Sequence, residues 1–308
     1  MDVIQSLRQK ACSKHKRIVL PERDDKRVVE AYEFIKREKI AEATLLTPDK
    51  IDPGKIKLYA QEYFNLRKHK GITIEEATKI VEQPLYYAAM MTRLEDADGF
   101  VAGAAHTSGD VIRAAIHCLN VDEKVGTISS SFIMVVPNCH YGDNGVLVYA
   151  DCGVMPTPSP RQLANIAIST AELAKVVLGI KPRVAMLSYS TKGSAQGKLV
   201  ENIREATEIA KKLNPELILD GELQVDAAIV PEVAKIKDSG SQIKGDANVL
   251  IFPNLEAGNI AYKLTQRLAQ ARALGPLLQG FKKPCSDISR GCNVDDIIDC
   301  VAVTAIRA

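Results

Sequence analysis

Between Ser286 and Asp296 the chain reads SDISRGCNVDD, which sets a hydroxyl (Ser289), a guanidinium (Arg290), a glycine, a thiol (Cys292) and two carboxylates (Asp295 and Asp296) within eight positions. An arginine fork suits phosphate or carboxylate, and a glycine beside it lets backbone approach a ligand closely. Val294, Ile297, Ile298, Val301 and Ala305 then follow helical spacing, so a helix opens near Asn293 or Val294. Asn293 would cap it, and Asp295 and Asp296 would fall in its first turn, where carboxylates suit the helix dipole. That ordinary reading accounts for the acids. It leaves Ser289-Arg290-Gly291 without an explanation.

Other stretches carry weaker signals. STKGSAQGK (190–198) lies between a strand and a helix, and the loop, with Ser190, Thr191, Lys192 and Gly193, could present free N–H groups and a helix dipole to an anion; a tight turn is the plain alternative. It has no G-K-[ST] order, and no G-x-G-x-x-G follows any strand, so no nucleotide fingerprint is present. In GAAHTSGDVIRAA (103–115), Thr107 or Ser108 is a candidate cap, Arg113 a surface or ligand arginine, and His106 a general base or a structural residue. NLRKHKG (65–71) puts Arg67 at the head of a basic run, which by itself reads as a wet face. Asp220, Glu222 and Asp226 in LDGELQVDAAIV (219–230) could hold a metal, but surface and capping roles are the simpler reading.

These residues need a frame. The first third alternates strand and helix: RIVLPE, a helix after residue 24, ATLLTP, helix 74–94, GFVAG and helix 108–118. From about residue 124 the rhythm breaks into two β-rich runs, TISSSFIMVVP and GVLVYADC, joined by NCHYGDN, which reads as a hairpin. Alternation resumes with helices 160–178, 195–213, 225–235 and 256–274 and strands at 183–190, 216–223 and 248–253, and a last helix spans 294–307. The pattern predicts an α/β protein of two lobes with a cleft between them.

Composition excludes several classes. The 308 residues are 46% hydrophobic and 25% charged, with a net charge of +2, so no global field favours nucleic acid or membrane. Aromatic residues make up 5% and Trp is absent, which argues against a base-stacking platform. The seven cysteines are odd in number and lack C-x2-C spacing, as free thiols in a reducing compartment would be. No run reaches the roughly 18 apolar residues of a membrane span. A cytoplasmic protein is expected.

Taken together, KPCSDISRGCNVDDI, AMLSYSTKGSA, DGELQVDAAIVP, IFPNLEAGNIAYKL, VAGAAHTSGDVIRAA and IVLPE resemble the phosphate acetyltransferase (phosphotransacetylase) family, in that family's order and over most of the chain. The resemblance implies reversible acetyl transfer between CoA and inorganic phosphate by way of acetyl phosphate, with no bound cofactor or metal and a homodimer as the usual unit. It implies an isocitrate/isopropylmalate dehydrogenase-like pair of α/β domains: residues 1–123 with 277–308, and residues 124–276. The family's catalytic serine, arginine and aspartate fall on Ser289, Arg290 and Asp296. Its substrate-binding arginines fall on Arg67 and Arg113, and its reactive cysteines on Cys139 and Cys292. The segment between about 45 and 60 is shorter than the family's, so the first sheet is expected to lack an element, and Arg23 stands where a small residue is usual. Phosphate butyryltransferase and a non-catalytic regulatory relative are the alternatives; stimulation by potassium or ammonium is left open.

Overall fold

The computed structural model describes residues 2–237 and 240–308. It divides into two compact units, Met1–Asp122 with Phe281–Ala308, and Glu123–Gly280. Ten strands run through the described residues: β1 (Arg17–Leu20), β2 (Glu42–Leu45), β3 (Gly99–Ala102), β4 (Ser129–Val135), β5 (Val146–Ala150), β6 (Arg183–Leu187), β7 (Ile218–Leu223), β8 (Val249–Ile251), β9 (Arg272–Gln279) and β10 (Cys285–Asp287).

In the first unit the strands lie in the order β2-β1-β3-β10, all parallel. Parallel strands are covered on both faces, which is why RIVL and GFVA are apolar throughout their buried positions. The helix Val294–Arg307 supplies much of the cover: every residue from Ile297 to Ile306 is buried. Each large aliphatic side chain so placed contributes about 1.5–3 kcal/mol relative to exposure. Because the strands are parallel, the loops after β1, β3 and β10 emerge at one end of this sheet, the usual place for a site in such folds.

The second unit has the order β9-β4-β5-β8-β6-β7. β4 pairs antiparallel with both β5 and β9, and the remaining pairs are parallel. Its core gathers Phe132, Met134, Leu147, Tyr149, Leu187 and Leu250.

Several elements differ from the expectation. The helix read over 74–94 is two, Ile74–Val81 and Pro84–Arg93, since proline opens a helix more readily than it continues one. The segment after β2 passes through a short turn into a helix that the sequence pattern did not predict, Pro53–Arg67, capped by Asp52, and adds no strand to the sheet. The helix read over 256–274 ends at Leu268, and residues 272–279 form β9. The expected boundary at 277 therefore falls inside a strand that pairs β4 as far as Gln279. No helix among the described residues is long and apolar enough to cross a membrane.

Candidate active site

The loop after β10 carries the polar stretch. Ser289, Arg290 and Gly291 are exposed. The Ser289 hydroxyl accepts the Gly291 N–H at 3.1 Å, and the Cys292 N–H donates to the Ser289 carbonyl at 2.9 Å, which folds the loop tightly. The Arg290 guanidinium has no hydrogen-bond or ion-pair partner among the described residues. Asn293 caps the following helix reciprocally: its side chain accepts the Asp296 N–H at 2.9 Å, and Asp296 Oδ2 accepts the Asn293 N–H at 3.0 Å. Asp296 Oδ1 stays unengaged by the described residues. Asp296 is thus both the cap expected from the helix pattern and a half-buried carboxylate with an oxygen to offer.

Cys292 is different. It is buried, and burial pushes its thiol up to about 11 despite the opposing Arg27 guanidinium. It remains a thiol at neutral pH, poorly suited to attack.

Two residues that the sequence did not disclose shape this end of the sheet. Arg27 Nη1 donates to the carbonyls of Arg290 (2.8 Å) and Cys292 (2.7 Å), while Nη2 donates to the Ala104 carbonyl (3.0 Å) and to Asp25 (2.6 Å). One guanidinium therefore ties the loop after β10 to the loop after β3. Glu22, its side chain 1% exposed, accepts the backbone N–H groups of Gly103, Ala104, Ala105 and His106 at 2.9–3.0 Å, and His106 Nδ1 at 2.8 Å. Burial would raise Glu22, but His106 and these N–H groups hold it below the usual range, and Glu22 in turn raises His106. His106 is a structural partner of Glu22. Nothing in the local sequence marked Glu22 beyond its place at the end of IVLPE.

Arg113 lies on the helix Ser108–Leu119, capped by Thr107, and pairs with Asp110 at 2.8 Å while 58% exposed. Arg67 ends the helix Pro53–Arg67. His117, on the same helix as Arg113, is pushed below the usual imidazole range by burial first and then by the charges of Arg67 and Arg113. Tyr63 Oη lies 3.2 Å and Tyr86 Oη 3.5 Å from His117 Nδ1, within hydrogen-bond reach of it.

The residues from 190 to 193 belong to the second unit and have a different character. Ser190 is fully buried and donates to Glu222 at 2.9 Å, where the Gly193 N–H also donates at 2.8 Å. Arg204 adds two bonds to Glu222, at 2.8 and 2.9 Å. Lys192 Nζ pairs with Asp220 at 2.7 Å, joined there by Lys211 and by Ser241. The Thr191 N–H meets Ser194 Oγ at 2.9 Å. Burial would raise both acids, but their cationic and hydroxyl partners hold each at about 2. The N–H groups expected to be free in this loop are therefore already engaged, as is the Lys192 ammonium, and Ser190, Thr191, Lys192 and Gly193 form an internal network in this structure. Asp220 and Glu222 are buried ion-pair centres, not surface carboxylates; Asp226 pairs with Lys237 at 2.7 Å. No group of metal-binding side chains occurs among the described residues. Cys139, in the same unit, is half-buried beside the β4–β5 turn.

A model of the family described as phosphate acetyl/butaryl transferase matches residues 2–305. The chain is 47% identical to a phosphate acetyltransferase of Thermoanaerobacterium thermosaccharolyticum over 327 aligned positions, covering both chains completely. It is 46% identical to one of Acetivibrio thermocellus, covering all of this chain and 98% of the relative. Among solved structures, a phosphotransacetylase from Streptococcus pyogenes superposes with a TM-score of 0.92 at 38% identity, over 99% of this chain and 97% of the other. The EutD phosphotransacetylase from Staphylococcus aureus gives 0.87 at 36%, over 99% and 98%. Fold and sequence together define an acyltransferase enzyme. The chain belongs to the phosphate acetyl/butaryl transferase family.

Proposed function

We propose that the chain transfers an acetyl group reversibly between CoA and inorganic phosphate, by direct attack of the CoA thiol on acetyl phosphate with both substrates bound. The observation that carries the mechanism is the loop after β10. With the helix start that follows, it sets an unpaired Arg290 guanidinium and the Ser289 hydroxyl, both exposed, close in the chain to the half-buried Asp296 with its free oxygen. Asp296 accepts the thiol proton, Arg290 grips the phosphoryl oxygens and stabilises the departing phosphate, and Ser289 hydrogen-bonds the acetyl oxygen as charge builds there. Full transfer of a proton from an ordinary thiol to an ordinary aspartate is uphill by about 6 kcal/mol, so transfer is coupled to attack and no free thiolate accumulates. The raised Cys292 thiol supports a route without an acyl-enzyme.

Arg67 and Arg113, whose charges both act on His117, are the cations proposed to hold a substrate anion. The scheme requires no cofactor, because CoA brings the thiol and acetyl phosphate the electrophile. All seven cysteines are free, which fits a reducing cytoplasm; the working unit is proposed to be a homodimer. Thioester formation from CoA with acetyl, propionyl and butyryl phosphate, wild type beside Asp296→Ala, tests the reading. Acetyl phosphate should be preferred and the variant should collapse. Preference for butyryl phosphate would change the substrate and keep the mechanism; no thioester with any of them would refute it.

A further inference from the structure

Glu22 and a second acid, Asp287, lie beneath the loops that carry the proposed chemistry, and they are bound in opposite ways. Glu22 has both oxygens filled by N–H donors. Asp287 ends β10, opposite Ala102 of β3, and is completely buried, yet neither of its carboxylate oxygens has a hydrogen-bond partner among the described residues. The next residue, Ile288, donates its N–H to the Ala102 carbonyl at 2.8 Å, and Ser289 follows at once. Facing the carboxyl is Gly103, with φ +119°, where a Cβ would lie 2.5 Å from Asp287 Oδ1 and 2.2 Å from the Ile288 carbonyl oxygen. The ends of β3 and β10 therefore close on each other with one carboxyl wedged between them.

The charged and titratable groups around it give little help to an anion. Glu22 faces it from the loop after β1, with His106 and Arg27 engaged on the same loops. Cys285 shares its strand, and Arg307 reaches the Cys285 carbonyl from the C-terminal helix at 3.4 Å. The Ser108 hydroxyl, at the start of its helix, favours the charged form but falls short of hydrogen-bond geometry. Burial dominates, the Glu22 charge adds to it, and Asp287 is pushed up to about 7. A buried acid without donors weakens a fold, and such groups collect where function requires them.

We propose that Asp287 is a positioning residue for acyl transfer: as a neutral carboxyl it lets the loops after β3 and β10 pack together, and loss of its proton to solvent drives them apart and displaces Ser289 and Arg290 from the acyl phosphate. The inference rests on the function proposed above and extends it.

A carbon-13 NMR titration of the aspartate carboxyls in the full chain comes first, since it does not depend on turnover. The Asp287 resonance, assigned by its absence in Asp287→Asn or by its outlying midpoint, should titrate near pH 7; no aspartate titrating above the ordinary range of about 4 overturns the proposal. Thioester formation is then followed from about pH 6 to pH 9. Wild-type kcat should fall about tenfold per unit above a midpoint near 7, whereas Asp287→Asn should stay within about threefold of wild type at the acid end and lose the fall. An alkaline limb that survives in Asp287→Asn overturns the proposal. Should that variant not fold, the wild-type rate and resonance midpoints must agree within about one unit, and disagreement overturns it. If no acyl phosphate yields thioester at any pH, the proposed function fails separately. Hydrogen-exchange protection of residues 288–293 then decides, since protection that does not drop as pH rises through about 7 overturns the role of Asp287.

Discussion

Two loops of this chain share an alphabet and differ in what their atoms are already doing. Residues 190–195 and 289–293 each combine serine and glycine with a cation. In the first, Ser190, Lys192 and Gly193 all donate to the buried acids Asp220 and Glu222, and the loop is neutralised from within. In the second, the backbone carbonyls of Arg290 and Cys292 are anchored by Arg27, and the Arg290 guanidinium is left unengaged. An anion arriving at the first loop would compete with carboxylates already in place. At the second it meets an uncompensated guanidinium. Residue types suggest a site, and unsatisfied donors define one.

The largest test of this contrast is Asp296→Ala beside Arg290→Ala. Asp296→Ala should lower kcat about 100- to 10,000-fold and also lose about 1 kcal/mol of stability with the capping box. Asn293→Ala removes the same cap and should keep kcat within about threefold; equal losses in the two variants would reduce Asp296 to a cap. Next in size is the pH dependence of stability. Asp287 keeps its proton up to about 7 in the fold and sheds it near 3.8 otherwise, so its contribution falls as pH rises between those values, by about 4 kcal/mol at most. Urea midpoints at about pH 5 and pH 8 should converge in Asp287→Asn relative to wild type. Asp220 and Glu222 have the opposite sign: held at about 2, they stabilise the fold above the ordinary carboxylate range, and that contribution is lost as pH falls from about 4 toward 2.

In the first loop, Glu222→Gln should lower the unfolding free energy by about 1–3 kcal/mol while leaving kcat/KM little changed where the protein is folded. A large rise in the KM for CoA at unchanged stability would instead give that loop a direct contact with substrate. Smallest of all, Cys292→Ala should retain most activity. A loss matching that of Arg290→Ala would end the case for direct transfer.

Much of the frame could be read from the chain alone, where a local pattern and its tertiary partner agreed. The runs flanking NCHYGDN form the antiparallel pair β4–β5, and the apolar spacing after Asn293 forms a capped helix. β9 escaped notice because RALGPLLQ lacks alternation and carries a Gly-Pro pair, a combination that sequence rules assign to turns. β10 has three residues, too few for any periodicity. The helix Pro53–Arg67 buries only Tyr59, Ala60 and Tyr63, so it shows no clear apolar stripe. At the site, Ser289, Arg290 and Asp296 stood out because their motif is continuous. Glu22, Arg27 and Asp287 did not, because their roles arise from strand ends that meet only in the folded sheet. For the same reason the spacing around Ser190 suggested an open cradle: the acids that fill it come from the next strand.

Arg27 grips the loop after β10 through the main-chain carbonyls of Arg290 and Cys292 and touches the Cys292 sulfur, but no side chain at 289 or 290. The path of that loop is thus set largely from outside it, the Ser289 hydroxyl on the Gly291 N–H being its own contribution. Arg290→Lys leaves all these bonds in place, and Ser289→Thr keeps the hydroxyl, so the two should report on chemistry more than on backbone. Arg27 is the position where an apparently remote substitution would silence the whole motif at once.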